Sequence, residues 1–349
     1  MNAIKSHHIL IVSASIGAGH TQAANAVRNE FVNLSPASRV TVVDFMAGFS
    51  PLGLIKETYL KMIGLVPNTY DLLYRWSQEP FPGAKAINMT GLIMKNRLRE
   101  LLVRYQPDLV VFTHPFPCCA AAYLRRCKRI SVPLAAIITD FTVHRFWLHR
   151  EVDLFFVADK EVQESLGDQG IARDRIYVTG IPVSARFGRL RGKPYDHEPG
   201  QPTILIMGGG LGLGAMQKAV DRLASVTAPL TLIVVAGKND ALRNRLTARK
   251  PTYPHRLDII GYSDHIPELM AKADILITKP GALTCSEALV MQLPLLLLNP
   301  LPGQEEDNAA YLTRQGAAVR IDSGDQLVRE ISYLLATPAA LTDMRRAAR

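Results

Sequence analysis

Short apolar runs separated by helical patterns recur along the whole chain, and this alternation constrains the fold more than any other feature. The runs have the length and composition of buried parallel strands. They fall into two groups: residues 9–12, 40–43, 109–113, 134–139 and 154–157, and residues 203–207, 230–235, 259–261, 275–278 and 293–298. Strands that alternate with helices predict doubly wound α/β units with parallel sheets.

The stretch between the two groups of strands, "LRGKPYDHEPGQP", is rich in proline, glycine and charge, as linkers are. At about 100–200 residues per domain, a chain of 349 residues has room for two domains. We therefore predict a Rossmann-like domain over residues 1–190, a linker over 191–202 and a second Rossmann-like domain over 203–349. Open α/β sheets bind ligands beyond the carboxyl ends of their strands, so we expect a ligand cleft between the domains.

The formal net charge is +9, and it is uneven: residues 1–200 hold +7 and residues 201–349 hold +2. A basic half is typical of a protein that faces nucleic acid or an anionic lipid surface, and a solvated basic face explains it equally well. The four cysteines lack the paired spacing of a metal site, and no secretory signal precedes them, which indicates reduced thiols in the cytoplasm. No apolar stretch approaches the ~18 residues of a spanning helix, so we expect no membrane crossing.

Residues 45–104 depart from the alternation, because apolar and aromatic residues mix there with lysines and arginines. Two interpretations remain open. The segment is either an inserted pair of helices that covers the sheet, or an amphipathic surface that docks on a bilayer and admits an apolar substrate. The lipid-facing candidates are Tyr74, Trp76, Lys95, Arg97 and Arg99.

A glycine turn, "SIGAGH", follows the first strand and leads into a helical pattern that begins near His20. Such a turn exposes backbone N–H groups beside a helix amino terminus. The helix dipole disfavours the protonated imidazole, and a neutral imidazole can act as a general base. A capping or packing role also explains a lone histidine, but the glycines clear space around His20 and favour the catalytic interpretation.

A second glycine-rich segment, "GGGLGLG", follows the strand at 203–207 and resembles a phosphate-binding loop. The dinucleotide fingerprint expects an acidic residue at the end of the next strand. Gly237, Lys238 and Asn239 stand there instead, which disfavours a nicotinamide cofactor. The sequence also lacks the G-x-x-x-x-G-K-[ST] pattern of nucleoside-triphosphate loops.

The most specific motifs are "ITKPGALTCSEAL" and "NPLPGQEEDN", each of which follows an apolar strand. Gly281 turns the chain into a helix whose amino terminus can hold a diphosphate, and Glu287 can accept the hydroxyls of a ribose. Gln304, Glu305 and Asn308 have the amide and carboxylate groups that bind sugar hydroxyls. An acidic helix amino terminus explains the charge of Glu305, but not a sugar-compatible cluster on two adjacent strand ends.

These segments, together with "FTHPFP", "IITDFTVHRFW" and "VTGIPV", resemble the monogalactosyl- and glucosyl-diacylglycerol synthases along nearly the whole chain. The resemblance implies a GT-B fold related to the peptidoglycan GlcNAc transferase, with His20 as general base. The implied UDP-sugar contacts are Gly209, Gly210, Leu211, Gly237, Lys238, Asn239, Tyr262, Ser263, Gly281, Ala282, Leu283, Thr284, Glu287, Gln304, Glu305 and Asn308. Candidate phosphate or cleft contacts are Arg186, His114 and Asp140.

Two features depart from the family pattern. Relatives often carry arginine where this chain has Ser184, and Arg186 follows two residues on. Relatives also end in a helix that crosses back onto the first domain, and residue 349 lies near its start, so we expect a truncated sequence.

The family implies an inverting transfer of a hexose from a UDP-sugar to diacylglycerol, on the cytoplasmic face of a membrane rich in anionic lipids. Neither a metal nor another cofactor is expected, since no D-x-D motif occurs. Nucleic acid is not an expected partner, and protein partners, the identity of the hexose and the number of sugars stay open. Two alternatives remain: another GT-B enzyme, such as the peptidoglycan transferase or a sugar-nucleotide epimerase, and a non-catalytic nucleotide-sugar-binding protein.

Overall fold

A computed structural model of the chain describes residues 6–15, 18–47, 80–192, 201–208 and 216–349, with side chains from residue 84 onward in the third range. The chain divides into two compact units. One comprises Met1–Ser184 and Pro302–Gln304, and the other comprises Ala185–Leu301 and Glu305–Arg349. The division falls shortly before residue 190, and most of the predicted linker at 191–202 lies outside the described residues.

The first unit contains a six-stranded parallel sheet with the strand order β2-β1-β3-β4-β5-β6. Its strands are β1 (His8–Ser13), β2 (Arg39–Asp44), β3 (Leu109–Phe112), β4 (Leu134–Ile137), β5 (Leu154–Val157) and β6 (Ile176–Val178). Its helices are α1 (Gly19–Leu34), α2 (Pro80–Tyr105), α3 (Pro115–Arg126) and α4 (Lys160–Asp168), with 3-10 turns at Arg145–Trp147 and Arg173–Arg175.

The second unit contains another six-stranded parallel sheet, with the order β12-β11-β10-β7-β8-β9. Its strands are β7 (Thr203–Met207), β8 (Thr231–Val235), β9 (Arg256–Ile260), β10 (Ile275–Thr278), β11 (Leu295–Leu298) and β12 (Ala318–Ile321). Its helices are α5 (Ala185–Leu190), α6 (Met216–Leu223), α7 (Asp240–Arg249), α8 (Ile266–Ala271), α9 (Ala282–Met291), α10 (Gln304–Arg314), α11 (Gly324–Ala336) and α12 (Pro338–Ala347), with a 3-10 turn at Lys250–Thr252.

The central strands are apolar on both faces because each sheet is covered on both faces. In β1, Leu10 and Val12 join the core on one face of the sheet, whereas Ile11 joins a separate core on the other face. Ile204 and Ile206 of β7 contribute to the core of the second unit in the same way. The predicted α/β architecture is confirmed.

The sequence pattern missed two short edge strands and extended two others too far. β6 is only three residues long, with Tyr177 and Val178 exposed, and Arg320 interrupts β12, so neither strand forms a long apolar run. The strands predicted at 109–113 and 134–139 end earlier, at Phe112 and Ile137. Thr113 and Thr139 therefore lie just beyond the carboxyl ends of β3 and β4.

Of residues 45–104, the structure describes 45–47 and the long helix α2, whose two faces differ, and residues 48–79 lie outside the described residues. Met94, Leu98 and Leu101 on one face belong to the core of the first unit. Large apolar side chains on the other face are exposed: Met89, Leu92, Ile93 and Val103. No helix within the described residues is both long and apolar enough to cross a membrane.

Candidate functional site

The order of the first sheet places a ligand-binding position between β1 and β3. After β1 the chain passes to β2 on one side, and after β3 it passes to β4 on the other. The crevice beyond the carboxyl ends at such a reversal is where open α/β sheets bind ligands. His20 follows β1 at the start of α1, and Thr113 and His114 directly follow β3.

The imidazole of His20 is held by residues from two other strand ends. Its Nδ1 lies 2.9 Å from the main-chain oxygen of Thr113 and 2.7 Å from Oγ1 of Thr139. The Thr113 hydroxyl in turn donates to the main-chain oxygen of His20 at 3.1 Å. Because a carbonyl oxygen can only accept, Nδ1 carries the proton and Nε2 carries the lone pair.

The half-buried His20 is neutral at neutral pH. Burial lowers the pKa of the imidazole to about 4, although the hydrogen bond to the Thr113 oxygen opposes the shift. The amino-terminal position in α1 acts in the same direction as burial, because the helix dipole repels a positive charge there. The site therefore presents an uncharged nitrogen that can accept a proton.

A second neutral imidazole, that of His114, packs nearly perpendicular to His20, with ring centroids 4.6 Å apart. His114 caps α3: its Nδ1 accepts a hydrogen bond from the Phe116 amide at 3.2 Å, which leaves the proton on Nε2. Burial, and secondly the neighbouring His20, hold the pKa of His114 well below its usual value. The two histidines thus have opposite tautomers and no charge.

Aromatic side chains extend from this pair along the carboxyl edge of the first sheet. Phe116 lies 4.9 Å from the His114 ring and 5.7 Å from Phe146, and His144 lies 5.2 Å from Phe146. Burial lowers the pKa of His144 to about 4. The side chains named here, two histidines and two phenylalanines, are aromatic and uncharged at neutral pH, which suits an apolar ligand with a hydroxyl group.

Sequence reasoning selected His20, His114 and Asp140 at this edge, and the buried Asp140 follows Thr139 directly. It missed Thr113 and Thr139, although both stand in the segments "FTHPFP" and "IITDFT". A polar residue directly after an apolar strand was the available signal.

In the second sheet, the corresponding reversal lies between β7 and β10. The glycine-rich loop follows β7, but Gly209, Gly210 and Leu211 lie outside the described residues. After β10 the chain passes through Lys279 and Pro280 to Gly281, the N-cap of α9.

The amino terminus of α9 is open to a ligand. Gly281 has an unstrained φ of −69°, and a Cβ at this position would meet no described atom within 4 Å. Ala282, Leu283 and Thr284 form the first turn. The N–H groups of a first turn lack partners within the helix and attract anions, so this terminus can bind a diphosphate.

Glu287 lies one turn further along α9 in a desolvated position. Burial raises the pKa of its carboxyl group to about 8, and no described side chain forms an ion pair with it. A half-buried carboxyl without a partner is available to the hydroxyl groups of a ligand.

Glu305, by contrast, is already engaged. Its Oε1 lies 2.5 Å from Nζ of Lys279, and its Oε2 accepts a hydrogen bond from the Leu301 amide at 3.0 Å. The side-chain amide of the buried Asn308 donates to the main-chain oxygen of Pro280 at 3.2 Å. Glu305 and Asn308 therefore fasten α10 to the loop after β10, and Gln304 is the half-buried first residue of α10.

Five further predicted contacts follow β8 and β9. Gly237 needs glycine because its φ is +60°, and Asn239 caps α7 by accepting from the Leu242 amide at 2.9 Å. The Lys238 ammonium lies 5.7 Å from the centre of the exposed Tyr262 ring. Ser263 Oγ accepts from the His265 amide at 3.1 Å.

Arg186, the predicted substitute for the missing family arginine, is engaged within the second unit. Its guanidinium lies 2.7 Å from Glu268 Oε1 and 3.0 Å from the main-chain oxygen of Asp264.

The candidate lipid-facing residues differ in their surroundings. Arg97 donates to the main-chain oxygen of Ala47 at 2.9 Å and is half-buried. Lys95 lies 5.6 Å from the Tyr123 ring centre, whereas Arg99 is exposed. Tyr74 and Trp76 lie outside the described residues. Among the described residues, no group of three or more His, Cys, Asp or Glu side chains could hold a metal ion.

The fold is that of the GT-B proteins. It is similar to the crystal structure of Acinetobacter baumannii MurG, with a TM-score of 0.64 and 18% identity over 98% of this chain and 94% of that chain. It is also similar to the UDP-GlcNAc 2-epimerase from Neisseria meningitidis bound to UDP-GlcNAc, with a TM-score of 0.61 and 14% identity over 97% of this chain and 94% of that one.

Sequence comparison identifies the family. Residues 20–183 match the monogalactosyldiacylglycerol (MGDG) synthase model, and residues 203–349 match the glycosyltransferase family 28 C-terminal domain. The chain is 34% identical to the processive diacylglycerol beta-glucosyltransferases of Bacillus thuringiensis and Bacillus anthracis, over 99% of this chain and 89% of each relative. It belongs to the MGDG synthase family of glycosyltransferases, and the resemblance seen in the sequence is confirmed.

Proposed function

We propose that the protein is an inverting glycosyltransferase that moves a hexose from a UDP-sugar to the free hydroxyl of 1,2-diacylglycerol. The full-length identity with processive diacylglycerol beta-glucosyltransferases carries this proposal and favours glucose as the hexose. The sugar is α-linked in UDP-glucose, so a β-linked product requires inversion at C1.

In the proposed reaction, the acceptor hydroxyl gives its proton to Nε2 of His20 while its oxygen attacks C1 of the sugar. The bond between C1 and the diphosphate oxygen breaks, and UDP leaves with the electron pair. The imidazolium that forms keeps its Nδ1–H bond to the Thr113 oxygen. Stabilisation of the developing charge on UDP is assigned to the first turn of α9.

The donor roles follow the family. Gly281, Ala282, Leu283 and Thr284 bind the diphosphate, and Glu287 binds the ribose. Gln304 and Glu305 bind the hexose, and the backbone near Tyr262 and Ser263 binds the uracil. Because the chain contains no D-x-D motif, the proposal includes neither a metal nor another cofactor.

The experiment that tests the function uses purified protein, vesicles containing diacylglycerol, and either UDP-glucose or UDP-galactose with a radiolabelled sugar. We expect a labelled glycolipid with UDP-glucose, and chromatography followed by NMR should show a β-linkage. A galactolipid alone would show that the donor is UDP-galactose, and an α-linkage would contradict the inverting mechanism. No lipid product from either donor would refute the proposal.

We place the protein peripherally on the cytoplasmic face of a membrane, bound to anionic lipids. The exposed face of α2 supports this placement, because Met89, Leu92 and Ile93 are surrounded there by the exposed Lys85 and Arg99. Each basic residue near an anionic surface contributes about 1 kcal/mol, and salt weakens this attraction.

Vesicle sedimentation tests the lipid surface with a Lys85→Gln/Arg99→Gln variant. We expect weaker binding to vesicles that contain phosphatidylglycerol and unchanged UDP affinity. Arg346→Gln, which removes an exposed arginine from α12, is the control and should bind vesicles normally. If binding ignores both lipid charge and salt, electrostatic docking is wrong.

A further inference from the structure

The hydrogen bonding of His20 differs from that of many catalytic histidines, because no carboxylate in the described part of the chain contacts its Nδ1. The two atoms within hydrogen-bond distance are a carbonyl oxygen, from Thr113, and a hydroxyl oxygen, from Thr139. The causes that set the pKa of His20 are burial and the Thr113 bond, and no charged neighbour is among them.

The Thr113 carbonyl determines the direction of the hydrogen bond between His20 Nδ1 and Thr139 Oγ1. Since the Thr113 oxygen can only accept, the hydrogen is on Nδ1, and the Thr139 hydroxyl cannot donate to a nitrogen that already carries a hydrogen. Thr139 Oγ1 therefore accepts from the same N–H, which is shared between the two oxygens. In the other tautomer the Thr139 hydroxyl could turn and donate to Nδ1, but the Thr113 carbonyl could not, so the carbonyl sets the tautomer and the hydroxyl fixes the orientation of the ring.

Both oxygens sit on rigid, buried positions. Thr113 and Thr139 are 0% and 5% exposed, and they follow the adjacent strands β3 and β4. The ring of His20 is thereby bonded to residues at two strand ends, although His20 itself lies at the start of a helix.

We propose that Thr139 is a positioning residue: the Thr113 oxygen holds His20 in the Nδ1–H tautomer, and the Thr139 hydroxyl fixes the orientation of the ring and so keeps the Nε2 lone pair directed at the acceptor. This inference rests on the proposed function, in which Nε2 of His20 takes the acceptor proton. The neutral partners keep the base uncharged, whereas a carboxylate would attract a proton to the ring.

The experiment compares Thr139→Val, which removes the hydroxyl at nearly constant volume, with Thr139→Ser, which retains it. Loss of one neutral hydrogen bond predicts a kcat about threefold to tenfold lower in T139V, with KM for the acceptor and Kd for UDP unchanged. T139S should retain most of the wild-type kcat. Thr41→Val is the matched control, because it removes a hydroxyl that bonds the imidazole of His8 at 3.0 Å, and it should leave kcat unchanged.

A readout independent of turnover is the ¹⁵N NMR spectrum of the His20 ring, assigned by its loss in His20→Ala. We expect the Nδ1–H tautomer in the wild type and in T139V, because the Thr113 oxygen is unchanged, and an upfield shift of the Nδ1–H proton in T139V, because that hydrogen has lost one of its two acceptors. An Nε2–H tautomer in the wild type would overturn the proposal. So would a T139S variant that loses as much kcat as T139V, because packing would then explain the effect.

The kinetics of His20→Ala distinguish a failure of the proposed function from a failure of the positioning role of Thr139. Normal turnover in H20A would refute the catalytic role of His20 itself. A large loss in H20A combined with a wild-type kcat and an unshifted Nδ1–H proton in T139V would refute only the role of Thr139. If T139V fails to fold, the wild-type tautomer and the T139S kinetics still decide the question.

Discussion

The carboxyl edges of the two sheets present opposite chemistry. At the edge of the first sheet, His20 and His114 are both neutral and contact carbonyl, hydroxyl and aromatic groups. At the edge of the second sheet, an ammonium-carboxylate pair, Lys279 and Glu305, lies beside the open amino terminus of α9. One edge suits a neutral, apolar acceptor, and the other suits an anionic nucleotide.

The difference shows how one architecture supports two tasks. Both units are parallel α/β sheets, and in both the functional groups collect where the strand order reverses. The two sites differ in the charge of their candidate functional groups. In the proposed function, burial keeps the His20 base unprotonated at the first edge, and the helix amino terminus at the second edge binds a diphosphate.

The largest expected effect tests the neutral edge. His20→Ala should lower kcat by about two to four orders of magnitude, which is the usual contribution of a general base. UDP affinity, measured by calorimetry, should stay nearly constant because the donor contacts are assigned to the other edge. His8→Ala removes a histidine of β1 that bonds Thr41 instead, and it should turn over normally. Normal turnover in H20A would contradict the catalytic role that is proposed for the edge of the first sheet.

The next effect tests the unpaired carboxyl of the charged edge. At pH 9, where its carboxyl is ionised, Glu287→Ala should weaken UDP and UDP-sugar alike by roughly 10- to 150-fold, since a hydrogen bond to a charged group contributes about 1.5–3 kcal/mol. With its pKa raised to about 8, Glu287 ionises as pH rises from 7 to 9, so wild-type UDP affinity should rise over that range. Glu287→Gln should lack this pH dependence, and an unchanged slope in that variant would contradict the ribose assignment.

A smaller effect is expected at the paired carboxyl. Glu305→Ala should weaken UDP-sugar more than UDP, by about tenfold, because Glu305 is assigned to the hexose and also holds Leu301 in place. Lys279→Met should reproduce much of this loss, and the double variant should be little worse than either single one, as expected for residues in contact. Strictly additive losses would show that the pair does not act as a unit.

The smallest expected effect is on stability, whose dependence on pH should differ between the two units. Burial depresses the pKa of His20, His144 and His149 to about 4, so the unfolded chain binds more protons than the folded one between pH 4 and 6.5. The first unit should therefore lose a few degrees of melting temperature as pH falls from 6.5 to 5, at about 2–4 °C per kcal/mol. Glu287 has the opposite effect on the pH dependence of stability. Because its pKa is raised in the folded protein, the stability of the second unit should fall as pH rises from 4.5 to 8.

Hydrogen exchange followed by mass spectrometry assigns these changes to each unit. Peptides from β3 and β4 should lose protection in acid, and peptides from α9 should lose it at higher pH. The E287Q variant should abolish the second trend. Equal pH responses in both units would contradict the contrast between a neutral and a charged edge.

The alternation of apolar runs and helical patterns was enough to predict two parallel α/β units, because buried parallel strands are apolar on both faces. The alternation did not predict β6 and β12, because these edge strands are short and partly exposed and therefore lack a long apolar run. Local patterns also identified His20, Gly281 and Glu287, because a glycine turn, a helix start and a strand end are all features of short segments.

Only the tertiary structure decided what these residues contact. The partners of His20 come from Thr113 and Thr139, which are distant in sequence and adjacent only because β1, β3 and β4 are neighbours. Lys279 engages Glu305, and Glu268 engages Arg186, so neither predicted ligand residue is an isolated charge. The sequence by itself determined the elements and the residue types at their ends. Strand order brought those ends together and thereby set the tautomer, the pKa values and the pairing of charge.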